Sequence, residues 1–285
     1  HMFERRLGIF PMDFSADNHL TGRTYLGDYP QFVPGTHDHP ARENSPGWLL
    51  LSYGHSTTAS SSQTNHSPAL AADENIQTWW AAASGAPGEW WQVNLGKSCR
   101  LEALQINFAD EGAHYHGKLS LDTYQYYVEG STDGQHWRRI LDRSANQRDT
   151  VHDYEPLPRS EMARYIRITN VHCPAGAVFS LSDLRVFGNG LSHPPAPVKE
   201  LSVAMDPEDP RHALVRWQPV SDSSFQIVRY GIARDQLFQN YQVYQTNTVS
   251  INSLNAGVKY YFTVDSVNDS GITPGTEIVS PGIKP

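Results

Sequence analysis

Histidine, tyrosine and acid side chains crowd into one polar stretch, Asn107-Phe108-Ala109-Asp110-Glu111-Gly112-Ala113-His114-Tyr115-His116-Gly117-Lys118. Imidazole and phenol groups offer directional hydrogen bonds, and a tyrosine ring adds an apolar face. That mixture suits a polyhydroxylated ligand such as a saccharide, with Asp110, His114, Tyr115 and His116 as candidate contacts. An ordered surface loop without a ligand fits the same composition. His114 and His116 alone make a poor transition-metal site, because a third ligand is wanting.

A second polar cluster is Asn146-Gln147-Arg148-Asp149-Thr150-Val151-His152-Asp153-Tyr154. Arg148 can offer a fork of hydrogen bonds to vicinal hydroxyls or to a uronic carboxylate. Asp149 and His152 are candidates for an orienting pair, and a network that merely braces the loop is the competing reading. Asp110, Glu111, Asp149 and Asp153 raise the question of glycosidase chemistry. That chemistry requires two acids about 5–10 Å apart across a cleft, and nothing in the spacing establishes it. The expectation is a chain without a catalytic site of its own.

Elements that can position such loops are short strands. Trp91–Leu95, Leu101–Phe108, Tyr124–Glu129, Tyr165–Thr169 and Leu184–Phe187 carry apolar residues, several in period-2 alternation with polar ones. Asp133-Gly134 supplies a turn tolerant of positive φ. Residues 1–56 alternate short apolar runs with Gly, Pro, Asp and Asn, as in Phe10-Pro11-Met12-Asp13-Phe14 and Gly27-Asp28-Tyr29-Pro30, and read as an irregular extension. Ser192-His193-Pro194-Pro195-Ala196-Pro197 reads as a stiff linker within 191–197. Beyond it, residues 198–285 show a second strand series (Val215-Arg216-Trp217, Ser224–Tyr230, Thr248–Ile251, Tyr260–Val267) of immunoglobulin-like size. The fold class is all-β.

Composition agrees with that reading. Charged residues are 18% and aromatics 11%, a balance that suits extracellular sandwiches with sugar-facing surfaces. A net charge of −8 argues against nucleic acid, whose phosphates demand clustered Lys and Arg. No apolar run nears the roughly 20 residues of a membrane span. His1-Met2 reads as a cloning remnant, no signal peptide follows it, and export (secreted, periplasmic or cell-surface) is inferred from composition. Cys99 and Cys173 are equally compatible with a disulfide and with two buried thiols.

Several segments together resemble the discoidin, or coagulation-factor 5/8 type C, family. They are Thr57-Thr58-Ala59-Ser60-Ser61-Ser62, Ala72-Asp73-Glu74-Asn75, Thr78-Trp79-Trp80, Gly88–Gly96, Val128–Trp137, Ala163–Arg167 and Leu184–Gly188. The resemblance spans some 130 residues and implies a jelly-roll-like β-sandwich over 57–190. It implies that Trp80 and Trp90 pack in the core, leaving Trp79 as a sugar-stacking platform; packing of Trp79 beneath a loop is the alternative. It places the 107–118 loop at the binding end. It also implies a structural Ca²⁺ held by Asp73, Asn75, Thr78 and Asp183, although a turn role for Asp73 serves as well. Residues 198–285 look like a fibronectin type III module. The whole is similar to the C-terminal half of bacterial family-43-like glycoside hydrolases, without their catalytic propeller. By analogy, the chain is expected to be a carbohydrate-binding module that targets an attached upstream hydrolase to plant polysaccharide of xylan or arabinan type. The alternative is a pair of structural modules that brace the catalytic domain and hold no sugar.

Overall fold

The computed structural model describes residues 12–14, 18, 20–22, 29–32, 45–114 and 123–281. The chain divides into two units, one of residues 48–191 and one of residues 1–47 with 192–285. Apart from a 3-10 turn at Pro68–Ala71, every regular element among the described residues is a strand. In the early region β1 (Met12–Phe14) pairs antiparallel with β2 (Leu20–Gly22).

The 48–191 unit holds β3 (Leu49–Leu50), β4 (Ser56–Ala59), β5 (Trp80–Ala81), β6 (Trp90–Phe108), β7 (Gln125–Ser131), β8 (Arg138–Arg143), β9 (His152–His172) and β10 (Ser180–Gly190). Two runs expected as separate strands, Trp91–Leu95 and Leu101–Phe108, are halves of the 19-residue β6. That strand turns at Gly96, whose φ of +79° favours glycine. There its register against β9 shifts, between Asn94 and Cys99. Trp90–Asn94 pairs with β4 and with Tyr165–Thr169 of β9, and β7 and β8 extend this layer. Cys99–Asn107 pairs with the earlier half of β9 and with β10, to which β3 and β5 attach. Two strands thus run through both layers of a β-sandwich.

Alternation decides what fills it. Trp91, Val93 and Leu95 of β6 point one way and are fully buried, together with Leu104, Ile106, Tyr126, Val128, Ile166, Ile168 and Phe179. Each large side chain removed from water in this way contributes about 1.5–3 kcal/mol. The buried indoles of Trp80 and Trp91 donate to the carbonyls of Ser61 and Pro68. The expected inward Trp90 is a misplacement: it is half-buried on the outer face, and Trp91 is the core residue. Alternation makes neighbouring indoles face opposite ways, but the apolar Val93 and Leu95, two and four residues on from Trp91, select which face is inner.

The second sandwich has β11 (Ser202–Met205), β12 (Ala213–Arg216), β13 (Phe225–Gly231), β14 (Gln239–Tyr244), β15 (Thr248–Ile251), β16 (Tyr261–Asn268) and β17 (Gly271–Thr273). They form a three-stranded sheet, β11-β12-β15, and a four-stranded sheet, β14-β13-β16-β17. Trp217, Tyr230, Tyr260 and Phe262 are buried in its core. The proline-rich stretch before β11 is not free chain. The carbonyls of His193, Pro195 and Ala196 accept hydrogen bonds from Asn268, Thr273 and Ser266, which lace it onto β16 and β17.

Both cysteines are buried, and no disulfide joins them. Burial pushes the Cys173 thiol up to about 12, and its Sγ–H donates to Asn170 Oδ1 at 3.3 Å.

Candidate functional site

At one end of the 48–191 sandwich, β6 ends at Phe108, β7 begins at Gln125, β8 ends at Arg143 and β10 begins at Ser180. The loops flanking these strands are bound to one another. Val178 N–H donates to Glu111 O at 3.0 Å, and His114 N–H donates to Ala175 O at 2.9 Å. Asn146 Nδ2 donates to Tyr124 O at 3.0 Å, and the Thr123 hydroxyl donates to Asn146 O at 3.2 Å. Tyr124, not among the sequence candidates, ties the two halves together. Its ring stacks on Phe108 with centroids 3.8 Å apart, and its hydroxyl donates to Asp110 Oδ1 at 2.8 Å. A buried aromatic just before a strand looks like core in a sequence, which is why its hydroxyl escaped notice.

This rim carries four of the expected contacts. His114, Arg148 and Asp149 are exposed, and Asp110 is half-buried in a left-handed conformation, φ +55°. The His114 ring lies on Gly176: a Cβ built there would stand 2.3 Å from its Cδ2. Arg148 N–H donates to Asn146 Oδ1, and its carbonyl accepts from Asn146 Nδ2, so the backbone is pinned while the guanidinium stays in solvent. Tyr115 and His116 lie outside the described residues.

Two further expected contacts, His152 and Trp79, have defined neighbours. His152 Nδ1 is 3.0 Å from Asn107 Oδ1, the neighbour across the β6–β9 pair. That position opens β9 and points away from the core, as alternation with buried Asp153 requires. Gln105 Nε2 donates to the same Asn107 oxygen, and Arg185 Nη1 donates to Gln105 Oε1. The two amides are thereby oriented, and His152 must donate from Nδ1. Trp79 packs at a tilt of 31° against His66, centroids 4.6 Å apart, and its carbonyl lies 3.1 Å from His66 Nδ1. Its indole nitrogen is buried without an acceptor among the described residues, while the side chain as a whole is half-buried.

The acids do structural work. Asp153 and Glu155 are buried; the Tyr126 hydroxyl donates to Asp153 at 2.7 Å, and Arg143 grips Glu155 through two nitrogens. Burial first, then the Asp153 carboxylate, pushes the Tyr126 phenol far above its ordinary range.

Residues 56–182 match the F5/8 type C domain family. No curated protein matches the chain. Among solved structures, chitosan-binding module 1 of a chitosanase/glucanase from Paenibacillus sp. IK-5 is 23% identical with a TM-score of 0.42, covering 49% of this chain and 99% of that one. Module 2 of the same enzyme, in complex with chitotriose, is 24% identical with a TM-score of 0.41, covering 48% and 99%. The family 32 module of Clostridium perfringens NanJ, in complex with galactose, is 18% identical with a TM-score of 0.41, covering 49% and 98%.

Within the 48–191 unit, the loop after the 3-10 turn carries Asp73, Asn75 and Thr78 of the expected cation ligands. Asp73 accepts from Asn75 N–H at 2.9 Å and from the Thr78 hydroxyl at 2.8 Å. Asp183 is buried on β10, two residues from the Arg185 whose Nε meets Glu74 of that loop at 3.1 Å. Carboxylate, amide and hydroxyl oxygens are a hard donor set, which fits calcium. Among the described residues no group of three His, Cys, Asp or Glu is placed to hold a metal ion, so carbonyl and hydroxyl oxygens would have to complete the shell. No described helix is long and apolar enough to cross a membrane.

Proposed function

We propose that residues 48–191 are a non-catalytic carbohydrate-binding module that grips saccharide at the rim of Asp110, His114, Arg148 and Asp149. The observation that carries this reading is the joining of the loops around 109–114, 123–125, 144–150 and 173–178 into one braced edge with exposed imidazole, guanidinium and carboxylate groups. Loops fixed on a rigid scaffold hold such groups at constant spacing, which favours recognition of hydroxyls. Use of Asp110 and Asp153 as acceptors for tyrosine hydroxyls speaks against a free acid pair of the glycosidase kind.

In the intact protein the module would hold an upstream glycoside hydrolase near plant polysaccharide, with xylan or arabinan the first candidates. The 198–285 sandwich, with its three- and four-stranded sheets, serves as a fibronectin III-like spacer. Calcium at Asp73, Asn75, Thr78 and Asp183 would stiffen the loop beside β10. The setting is extracellular, periplasmic or cell-surface. Affinity electrophoresis against xylan, arabinan, galactan and mannan, with and without chelator, tests both ligand and metal. Retardation by at least one polymer, lost in His114→Ala, is expected; a chain that migrates freely through all of them refutes the reading.

One observation favours the bracing alternative. Met12, Phe14 and Leu20 of the β1–β2 pair are 58%, 72% and 54% exposed, an apolar surface suited to another domain. A chain without glycan affinity that binds a separately produced catalytic domain would support that alternative.

A further inference from the structure

On the outer face of the layer β4-β6-β9-β7-β8, flat groups stack in a row. The Arg167 guanidinium lies between two indoles, 4.7 Å from the Trp90 centroid and 4.0 Å from that of Trp137. Its Nε and Nη2 both donate to Gln92 Oε1, at 3.2 and 2.8 Å. Arg164 lies over Tyr165 at 5.0 Å and donates through Nε to Asn94 Oδ1 at 2.9 Å. Gln92 and Asn94 are two apart on β6, so the two guanidinium groups are anchored about 7 Å from each other on one face.

Neither arginine forms an ion pair among the described residues. Glu129 stands opposite Arg167 on β7 outside ion-pair distance, and the neighbouring Arg139, stacked on Tyr127, is already paired with Asp142. Both guanidinium groups keep unused donors while half-buried, and desolvation lowers the Arg167 pKa. Glu129 favours the Arg167 cation without contacting it, so an anionic ligand would supply the close carboxylate that both half-buried guanidinium groups lack. Trp90, Trp137 and Tyr165 adjoin the two guanidinium groups and offer apolar contact area to a pyranose.

We propose that this sheet face is a second saccharide site, selective for acidic glycans, in which Arg164 and Arg167 receive sugar carboxylates and the three rings support the sugar. It rests on the reading of this unit as a carbohydrate-binding module but uses different residues from the rim. The test is affinity electrophoresis of the whole chain in gels containing polygalacturonate or neutral xylan, arabinan, galactan or mannan. Polygalacturonate should retard the wild type. The double variant Arg164→Gln/Arg167→Gln should lose about tenfold or more in affinity, Arg164→Gln alone a smaller amount, and His114→Ala none. Arg167→Lys, which keeps charge but not the fork, should be weakened too. Thermal unfolding checks that each variant is folded; if the double variant is not, the Arg164→Gln result decides. Unretarded wild type, retention unchanged by the Arg164 and Arg167 variants, or loss in His114→Ala overturns the proposal. Binding of polygalacturonate without any neutral polymer would sink the rim and spare this face, and the reverse would sink this face alone.

Discussion

Gly176→Ala probes whether the 173–178 loop holds His114 in place. Gly176 sits at φ +77°, where an alanine costs about 1–2 kcal/mol. The added methyl would also meet His114 Cδ2 at 2.3 Å and Gly112 O at 2.8 Å, well inside contact. Relieving both contacts must move the imidazole or push the neighbouring loops away from each other, and overpacking of this kind adds about 1–3 kcal/mol. Gly88→Ala is the matched control, because Gly88 has φ +94° and nothing within 4 Å of its hypothetical Cβ. Loss of about 1–2 kcal/mol is expected for Gly88→Ala and about 2–5 for Gly176→Ala. Urea unfolding followed by tryptophan fluorescence reads this unit almost alone, since of the 7 tryptophans only Trp217 lies in the other sandwich. Glycan affinity should fall in Gly176→Ala and stay constant in Gly88→Ala. Equal stability losses with unchanged affinity in both would show that His114 is not placed by this contact, and the rim would lose its best-defined member.

Tyr126→Phe strips buried Asp153 of its hydroxyl donor and should destabilise the unit by about 1–3 kcal/mol in the same urea assay. Burial alone would raise the Glu89 carboxyl, but hydroxyls of Ser60, Ser61 and Ser84 outweigh it and hold the pKa below its ordinary value. A depressed folded-state pKa gives stability that is present above the unfolded value, about 4.3, and lost as pH falls through the folded one. Glu89→Gln should therefore flatten the stability profile at the acid end without changing its slope above pH about 6, as thermal melts across pH would show. Cys173, its thiol pushed up to about 12, should resist iodoacetamide at pH 8 in the native chain and react after denaturation, as mass spectrometry can count.

Much of the scaffold could be read from residue order. Alternation marked both halves of β6 and the 165–169 segment of β9, because a half-buried strand writes its burial into every second residue. What escaped depends on partners distant in sequence. Which indole of Trp90-Trp91 faces inward is set by the opposing layer, not by the pair. His152 looked like a loop residue beside Asp149, yet it opens β9 and meets Asn107, 45 positions earlier. The 192–197 stretch has the composition of a stiff linker; its anchors, Asn268, Thr273 and Ser266, lie 70–78 positions away. For the rim, loop chemistry pointed to Asp110, His114, Arg148 and Asp149. Tyr124 required knowing that Phe108 stacks beneath it.

The passage of β6 and β9 through both layers has a mechanical result. Neither half of the sandwich can peel away while the other stays shut, because each would drag the same two ribbons. Amide hydrogens of Gln92 and of Leu104, one in each layer, should therefore exchange with a single opening free energy. A ligand seated at either surface would then protect the opposite one as well.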